Sequence, residues 1–194
     1  IIKSSALHEL VNKAAEYKIQ ERRVGVIGAK LMEYSSPELI QTVGGVFNKW
    51  LATTKMIGAC ELDIGQYDNG VDAHIDFPSG ASMFVQVKFI QDIGLMSEDY
   101  FLYFEEIDWV TRGRITGWDI GYCGTAQVFH KGGASAGSST SSETRSVLSD
   151  YYGIKNRVIF TRKFHSEKIS IVYLGILVAI INRIKKQQFG RVWV

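Results

Sequence analysis

The run Val24-Gly25-Val26-Ile27-Gly28 is apolar throughout and follows the polar Glu21-Arg22-Arg23, so it reads as a short buried strand. A buried strand needs other elements layered against it. One such element precedes it. Leu7, Leu10, Val11 and Ala14 recur at helical spacing behind a cap at Ser4 or Ser5, which gives one apolar face through about Tyr17. Glu21-Arg22-Arg23 is a polar break between the two. Helix then buried strand is the rhythm of a layered α/β domain. The 194 residues suffice for one domain with a sizeable core, and 46% hydrophobic with 12% aromatic residues excludes a disordered chain.

Further elements follow from local signals. Ser35-Ser36-Pro37 marks a turn or a helix start, with Pro37 suited to a first helical position, and Gly44-Gly45 ends that piece. Residues 46–69 mix aromatics with glycines and read as a long loop with strand fragments; long ordered loops tend to serve function. Residues 71–77 alternate weakly. A strand is expected over 80–85 and a short helix over 87–93, stopped by Gly94. The aromatic run Tyr100-Phe101-Leu102-Tyr103-Phe104 leads into a helix that opens at Glu105-Glu106 and ends by Gly117. Two strands are expected near 118–122 and 126–130. Residues 132–142 are Gly/Ser-rich and expected to be mobile, and 147–159 belong to a further helical stretch.

Residues 169–181 are interrupted by polarity only at Ser170. As a helix they span roughly 20 Å, against a hydrocarbon core of about 30 Å, so the segment is too short to cross a membrane. It is either a core helix or an interfacial one with Asn182-Arg183-Ile184-Lys185-Lys186 at a headgroup layer. From Lys155 onward there are nine Lys or Arg against one acid, Glu167, and a segment both basic and apolar suggests an anionic membrane surface. The net charge of +2 is too small to argue for nucleic acid. Cys60 and Cys123 make neither a metal pair nor a disulfide framework and are read as free thiols in a reducing compartment. The opening Ile1-Ile2-Lys3 shows no signal peptide, and the apolar close Val192-Trp193-Val194 suggests a piece of something longer.

Chemistry-bearing residues are few. Glu98-Asp99 and Glu105-Glu106-x-Asp108 flank the aromatic run. Carboxylates beside aromatics are desolvated toward the range of a general base, whereas a helix N-terminus favours the ionised form. The alternative is that acids in a first helical turn are common as plain stabilisers. His130, at a strand end before Lys131-Gly132-Gly133, is a candidate metal or phosphate ligand, with a structural imidazole as the alternative. Neither a phosphate-binding glycine loop nor a serine-nucleophile elbow is present, which disfavours nucleotide-loop enzymes and serine hydrolases.

Taken in order, these pieces resemble one family. The helix and strand ending in Val24-Gly25-Val26-Ile27-Gly28-Ala29-Lys30 resemble those that follow the metal-binding DxD motif of family 2 glycosyltransferases. Ile40-Gln41-Thr42-Val43-Gly44-Gly45 with Asn48 and Trp50 resembles a stretch of the rhamnosyltransferase-like branch, and Gly58, Glu61, Asp63 and Gly65-Gln66-Tyr67-Asp68 continue it. Val71-Asp72 and Gly80-Ala81-Ser82-Met83-Phe84-Val85 are similar to its next strand. Ile93-Gly94-Leu95, then Glu98 to Asp108, resemble its acidic-aromatic segment. Gly117-Trp118 to His130, then Tyr151-Tyr152, Asn156-Arg157 and Phe160, complete the likeness over nearly the whole chain.

The resemblance implies an α/β fold: the C-terminal, acceptor-side portion of a GT-A glycosyltransferase, with a mixed sheet, flanking helices and a C-terminal apolar helix. Residues 1–164 would form that portion and 165–194 a basic, apolar, membrane-associating tail. The implied reaction is inverting transfer of a sugar from a nucleotide-diphosphate donor, dTDP-rhamnose by the branch, to a glycan or lipid-linked acceptor. The alternative is a non-catalytic carbohydrate- or membrane-binding module. The implied base is Glu106 or Glu105, a departure from the family's Glu-Asp pair; Asp108 would orient the site, and Gly80, Ala81, Trp50 and Asp72 would lie on the substrate side. His130 would join DxD carboxylates at Mn²⁺ or Mg²⁺, but no DxD occurs in these residues. The resemblance further implies a bacterial protein of polysaccharide biosynthesis, cytoplasmic, at the inner face of the plasma membrane.

Overall fold

The computed structural model describes residues 1–72, 74–132 and 146–189. The chain runs α1 (Ala6–Ile19), β1 (Val24–Glu33), β2 (Ile40–Thr42), β3 (Gly45–Asn48), β4 (Thr53–Met56), β5 (Met83–Val85), α2 (Val87–Ile93), α3 (Glu105–Ile115), β6 (Asp119–His130), α4 (Val147–Phe164) and α5 (Ile169–Lys185). It is an α/β chain with a mixed sheet and flanking helices, as expected at that level.

β1 is the axis of the main sheet. One of its edges carries β6 in parallel, from Val24 opposite Asp119 to Glu33 opposite His130. The other edge is shared. β5 pairs antiparallel with Val26, Ile27 and Gly28, and β2 pairs antiparallel with Leu31 and Met32. The edge therefore changes partner around Ala29 and Lys30. β3 and β4 form a separate two-stranded ribbon.

Some elements differ from the sequence expectations for identifiable reasons. β1 runs 10 residues, not five, and nine of them are buried. Its continuation includes Lys30, whose charge is met by Asp63 at 2.8 Å and Asp68 at 2.5 Å. The two strands expected before His130 are one, β6, because residues 124–126 bulge out of the ladder between Cys123 and Gln127. Gly124 sits at that bulge, where a Cβ would lie 2.4 Å from the Tyr67 carbonyl oxygen. Pro37 starts no helix; residues 34–38 turn directly into β2. The described residues within 71–77 form turns and a single bridge, Phe77 to Gly45, and no strand. Ser5 precedes α1 but makes no side-chain cap; its carbonyl instead accepts from Glu9 N.

The chain divides into two units, Ile1–Val46 with Thr54–Ser97 and Glu106–Lys131, and Phe47–Thr53 with Glu98–Glu105 and Gly132–Val194. In the first, α1 lies on the sheet through Ala6, Leu10 and Tyr17, which pack with Ile27, Ala29, Leu31, Cys123 and Val128. The residues Ile27, Ala29 and Leu31 alternate along β1 and so share one face. Phe89 of α2 fills a second cluster, edge-on to Trp109 at 5.1 Å and Trp118 at 5.6 Å. Gly25 and Gly113 make room for its ring. In the second unit, α4 carries Phe160 and Phe164 into an aromatic cluster with Phe47 and Phe104. Among the described residues no helix is long and apolar enough to cross a membrane. The Gly/Ser stretch from 133 and the terminal Val192-Trp193-Val194 lie outside the described residues.

Candidate functional site

The acidic pair opens α3 after an unusual approach. Tyr103 and Phe104 hold φ of 67° and 78°, a left-handed backbone that aromatic residues rarely adopt. Residues in this region cost about 1–3 kcal/mol each and persist only where their surroundings enforce them. The enforcement comes from Asn156 of α4. Its Nδ2 donates to the Leu102 carbonyl at 2.7 Å and to the Tyr103 carbonyl at 2.9 Å, and the side chain is fully buried. The Tyr103 hydroxyl also bonds Ser149 Oγ at 3.1 Å. Such enforced strain is typical of segments that aim a functional side chain.

Glu105 follows this segment directly. It is half-buried, and its Oε2 is sealed from solvent with no hydrogen-bond partner among the described residues. Burial pushes its carboxyl above the ordinary value, and a backbone hydrogen bond only partly opposes this. In the same second unit, Trp50 is 54% exposed. Its turn is held by Asn48 Oδ1, which accepts from Trp50 N and Leu51 N, and by Arg157 Nη2, which donates to the Leu51 carbonyl at 2.6 Å. An exposed, backbone-anchored indole offers an apolar face to a ligand.

In the first unit, Glu106 stands beside Gly80, whose Cβ, if present, would lie 3.4 Å from Glu106 Oε1. Gly80 and Ala81 are exposed and, with Ile2, Leu7 and Met83, line a shallow depression at the start of β5. Asp108 is fully buried within α3 and accepts from Arg112 Nε at 2.7 Å. Arg112 in turn donates to the carbonyls of Ile93 and Leu95. Asp72 accepts from the Tyr17 hydroxyl at 3.0 Å and from Arg22 at 2.5 Å, and Arg22 continues to Asp119. Burial would raise the Asp72 carboxyl, but the hydrogen bonds from Arg22 and Tyr17 outweigh it and the net shift is downward.

His130 closes β6 opposite Glu33. Gln41 Nε2 donates to Glu33 Oε2 at 3.2 Å and to the His130 carbonyl at 3.3 Å. With that amide orientation Gln41 Oε1 is an acceptor, so His130 Nδ1, 2.7 Å away, carries the proton. In the neutral imidazole Nε2 would then keep the lone pair, the arrangement a metal-ligating imidazole needs. One nitrogen is not a site, however. Among the described residues no three His, Cys, Asp or Glu converge to hold a metal ion, so these side chains do not by themselves fit Mn²⁺ or Mg²⁺.

No protein-family model matches the chain, and no curated protein matches it. Two features escaped the sequence reading: the Asn156 clamp on the strained loop and the burial of Lys30 between Asp63 and Asp68. A left-handed aromatic leaves no compositional signal. Asn156 is marked only by its place in the family resemblance.

Proposed function

We propose that this chain is the acceptor side of an inverting, nucleotide-sugar-dependent glycosyltransferase of the GT-A type, with the acidic pair at the head of α3 supplying the base. The observation that carries the reading is Glu105: a carboxyl desolvated, raised in pKa and delivered by a strained, clamped loop. Such a group takes a proton near neutral pH more readily than an exposed glutamate. In this reading the carboxylate accepts the acceptor hydroxyl proton as that oxygen attacks the anomeric carbon. The C–O bond to the nucleoside diphosphate breaks as the new glycosidic bond forms, with inversion. Glu106, one residue on and against Gly80, is the second candidate for the base.

Trp50 would stack on a sugar ring, and Gly80 and Ala81 would admit substrate where side chains would block it. In the first unit Asp72 is likewise proposed to face substrate, and Asp108 serves as a positioning residue through Arg112. Mn²⁺ or Mg²⁺ would need carboxylates beyond the described residues. A nucleotide-sugar donor, dTDP-rhamnose by resemblance, and a glycan or lipid-linked acceptor complete the proposal, as does a cytoplasmic setting.

The test is sugar transfer by the intact protein. Glu105→Gln or Glu106→Gln should lower the rate by about 10²–10⁴ if that residue is the base. Loss of less than about tenfold in both variants refutes the base assignment.

A further inference from the structure

α5 has its polarity inverted. A surface helix normally turns its apolar stripe inward. Here Ile171, Leu174, Leu177, Val178, Ile181 and Ile184 are all exposed, by 38% to 61%. At 100° per residue they fall within one arc. The opposite side holds Val172, fully buried, and Arg183, paired with Asp150 at 3.2 Å. Gly175 sits there too, against Leu51 and Arg157. The helix is thus fixed to its own unit by a mixed face and presents an almost purely apolar one outward.

Charge identifies what covers that face. Lys185 and Lys186 are exposed at its C-terminal end, and Arg162 of α4 reaches it, donating to the Tyr173 hydroxyl at 2.8 Å. From 168 to 189 the sequence has no acid, and Glu167 just before is already bonded to Lys168. Two copies paired through this face would bring cations together with no acid to offset them. An anionic lipid surface offers both an apolar layer and phosphates. The 17-residue helix is about 25 Å long, short of a span, and so would lie in the interface plane.

We propose that α5 docks flat on an anionic membrane, its apolar arc at the headgroup–acyl boundary and Arg162, Lys185 and Lys186 at the phosphates. The proposal stands independently of the transferase reading. It is tested by co-sedimenting the 194-residue chain with vesicles of phosphatidylcholine alone or of equimolar phosphatidylcholine and phosphatidylglycerol. Retention is expected on the anionic vesicles only. The triple variant Leu174→Ser, Leu177→Ser, Ile181→Ser should bind at least about tenfold more weakly. Lys185→Gln with Lys186→Gln should weaken binding about fivefold per lysine. Because all five side chains are exposed, far-ultraviolet dichroism should match the parent. Absence of retention, equal retention on both vesicles, or a triple variant that binds like the parent overturns the proposal. So does a concentration-dependent dimer in light scattering that the triple variant abolishes, which would assign the face to a second copy.

Discussion

Glu106 Oε1 stands 3.4 Å from the point where a side chain at Gly80 would begin. That distance is ordinary van der Waals contact, so Gly80→Ala should leave the fold intact and hold Glu106 in place. Gly80→Leu should displace the carboxylate and lower transfer by at least about tenfold. Thermal denaturation of both variants, read beside the transfer rate, separates loss of the site from loss of the fold.

Asp108 and Arg112 form a pair in which the carboxylate is fully buried and the guanidinium also ties the Ile93 and Leu95 carbonyls. Asp108→Ala would leave Arg112 with uncompensated charge in a partly buried place. The expected loss is about 2–3 kcal/mol, read by urea unfolding. Should the folded variant keep full transfer activity, the positioning role assigned to Asp108 fails.

Asn156 holds the left-handed pair Tyr103 and Phe104 through two hydrogen bonds to carbonyls 54 and 53 residues away. Asn156→Ala should cost about 2 kcal/mol and release the strain stored before Glu105. Transfer should fall more than stability alone explains under conditions where the variant is folded. Retention of full activity in folded Asn156→Ala would separate the strained loop from the chemistry.

Glu105 makes a signed contribution to pH dependence. Its folded carboxyl is raised by burial, so the native state binds its proton more tightly than the unfolded chain does. Stability from this group is therefore greatest below the ordinary carboxylate range and falls as pH rises through the raised value. Glu105→Gln removes that slope. Unfolding midpoints of parent and variant should converge at acid pH, and the variant should gain as pH rises toward neutrality.

The ring of Phe89 occupies the space that side chains at Gly25 and Gly113 would need, with prospective Cβ contacts of 2.1 Å and 2.5 Å. Gly113→Ala gains roughly 1 kcal/mol of helix propensity but overpacks a buried ring, a loss of about 1–3 kcal/mol or more. Destabilisation should win there and be larger for Gly25→Ala. Gly153 in α4 meets nothing within 4 Å, so Gly153→Ala should stabilise, by about 0.5–1 kcal/mol. Denaturant titration of the three variants tests the order.

What the residues alone determined were the local elements. The spacing of Leu7, Leu10 and Ala14, the stop at Gly94 and the apolarity of 169–181, broken only by Ser170, act within one or two helical turns, so they mark α1, α2 and α5 without knowledge of neighbours. The α/β class followed from the buried run after α1 for the same reason. What only the tertiary structure decided were relations between distant residues. Whether β1 stops at Gly28 or continues through Lys30 depends on Asp63 and Asp68 arriving to neutralise a buried ammonium. Whether β6 breaks at Gly124 depends on a ladder that a bulge can carry past. The desolvation of Glu105 depends on a loop clamped by α4, and the outward turn of the apolar face of α5 on Arg183 finding Asp150 inside. Periodicity records which face of an element is apolar; packing across the chain selects which face is covered.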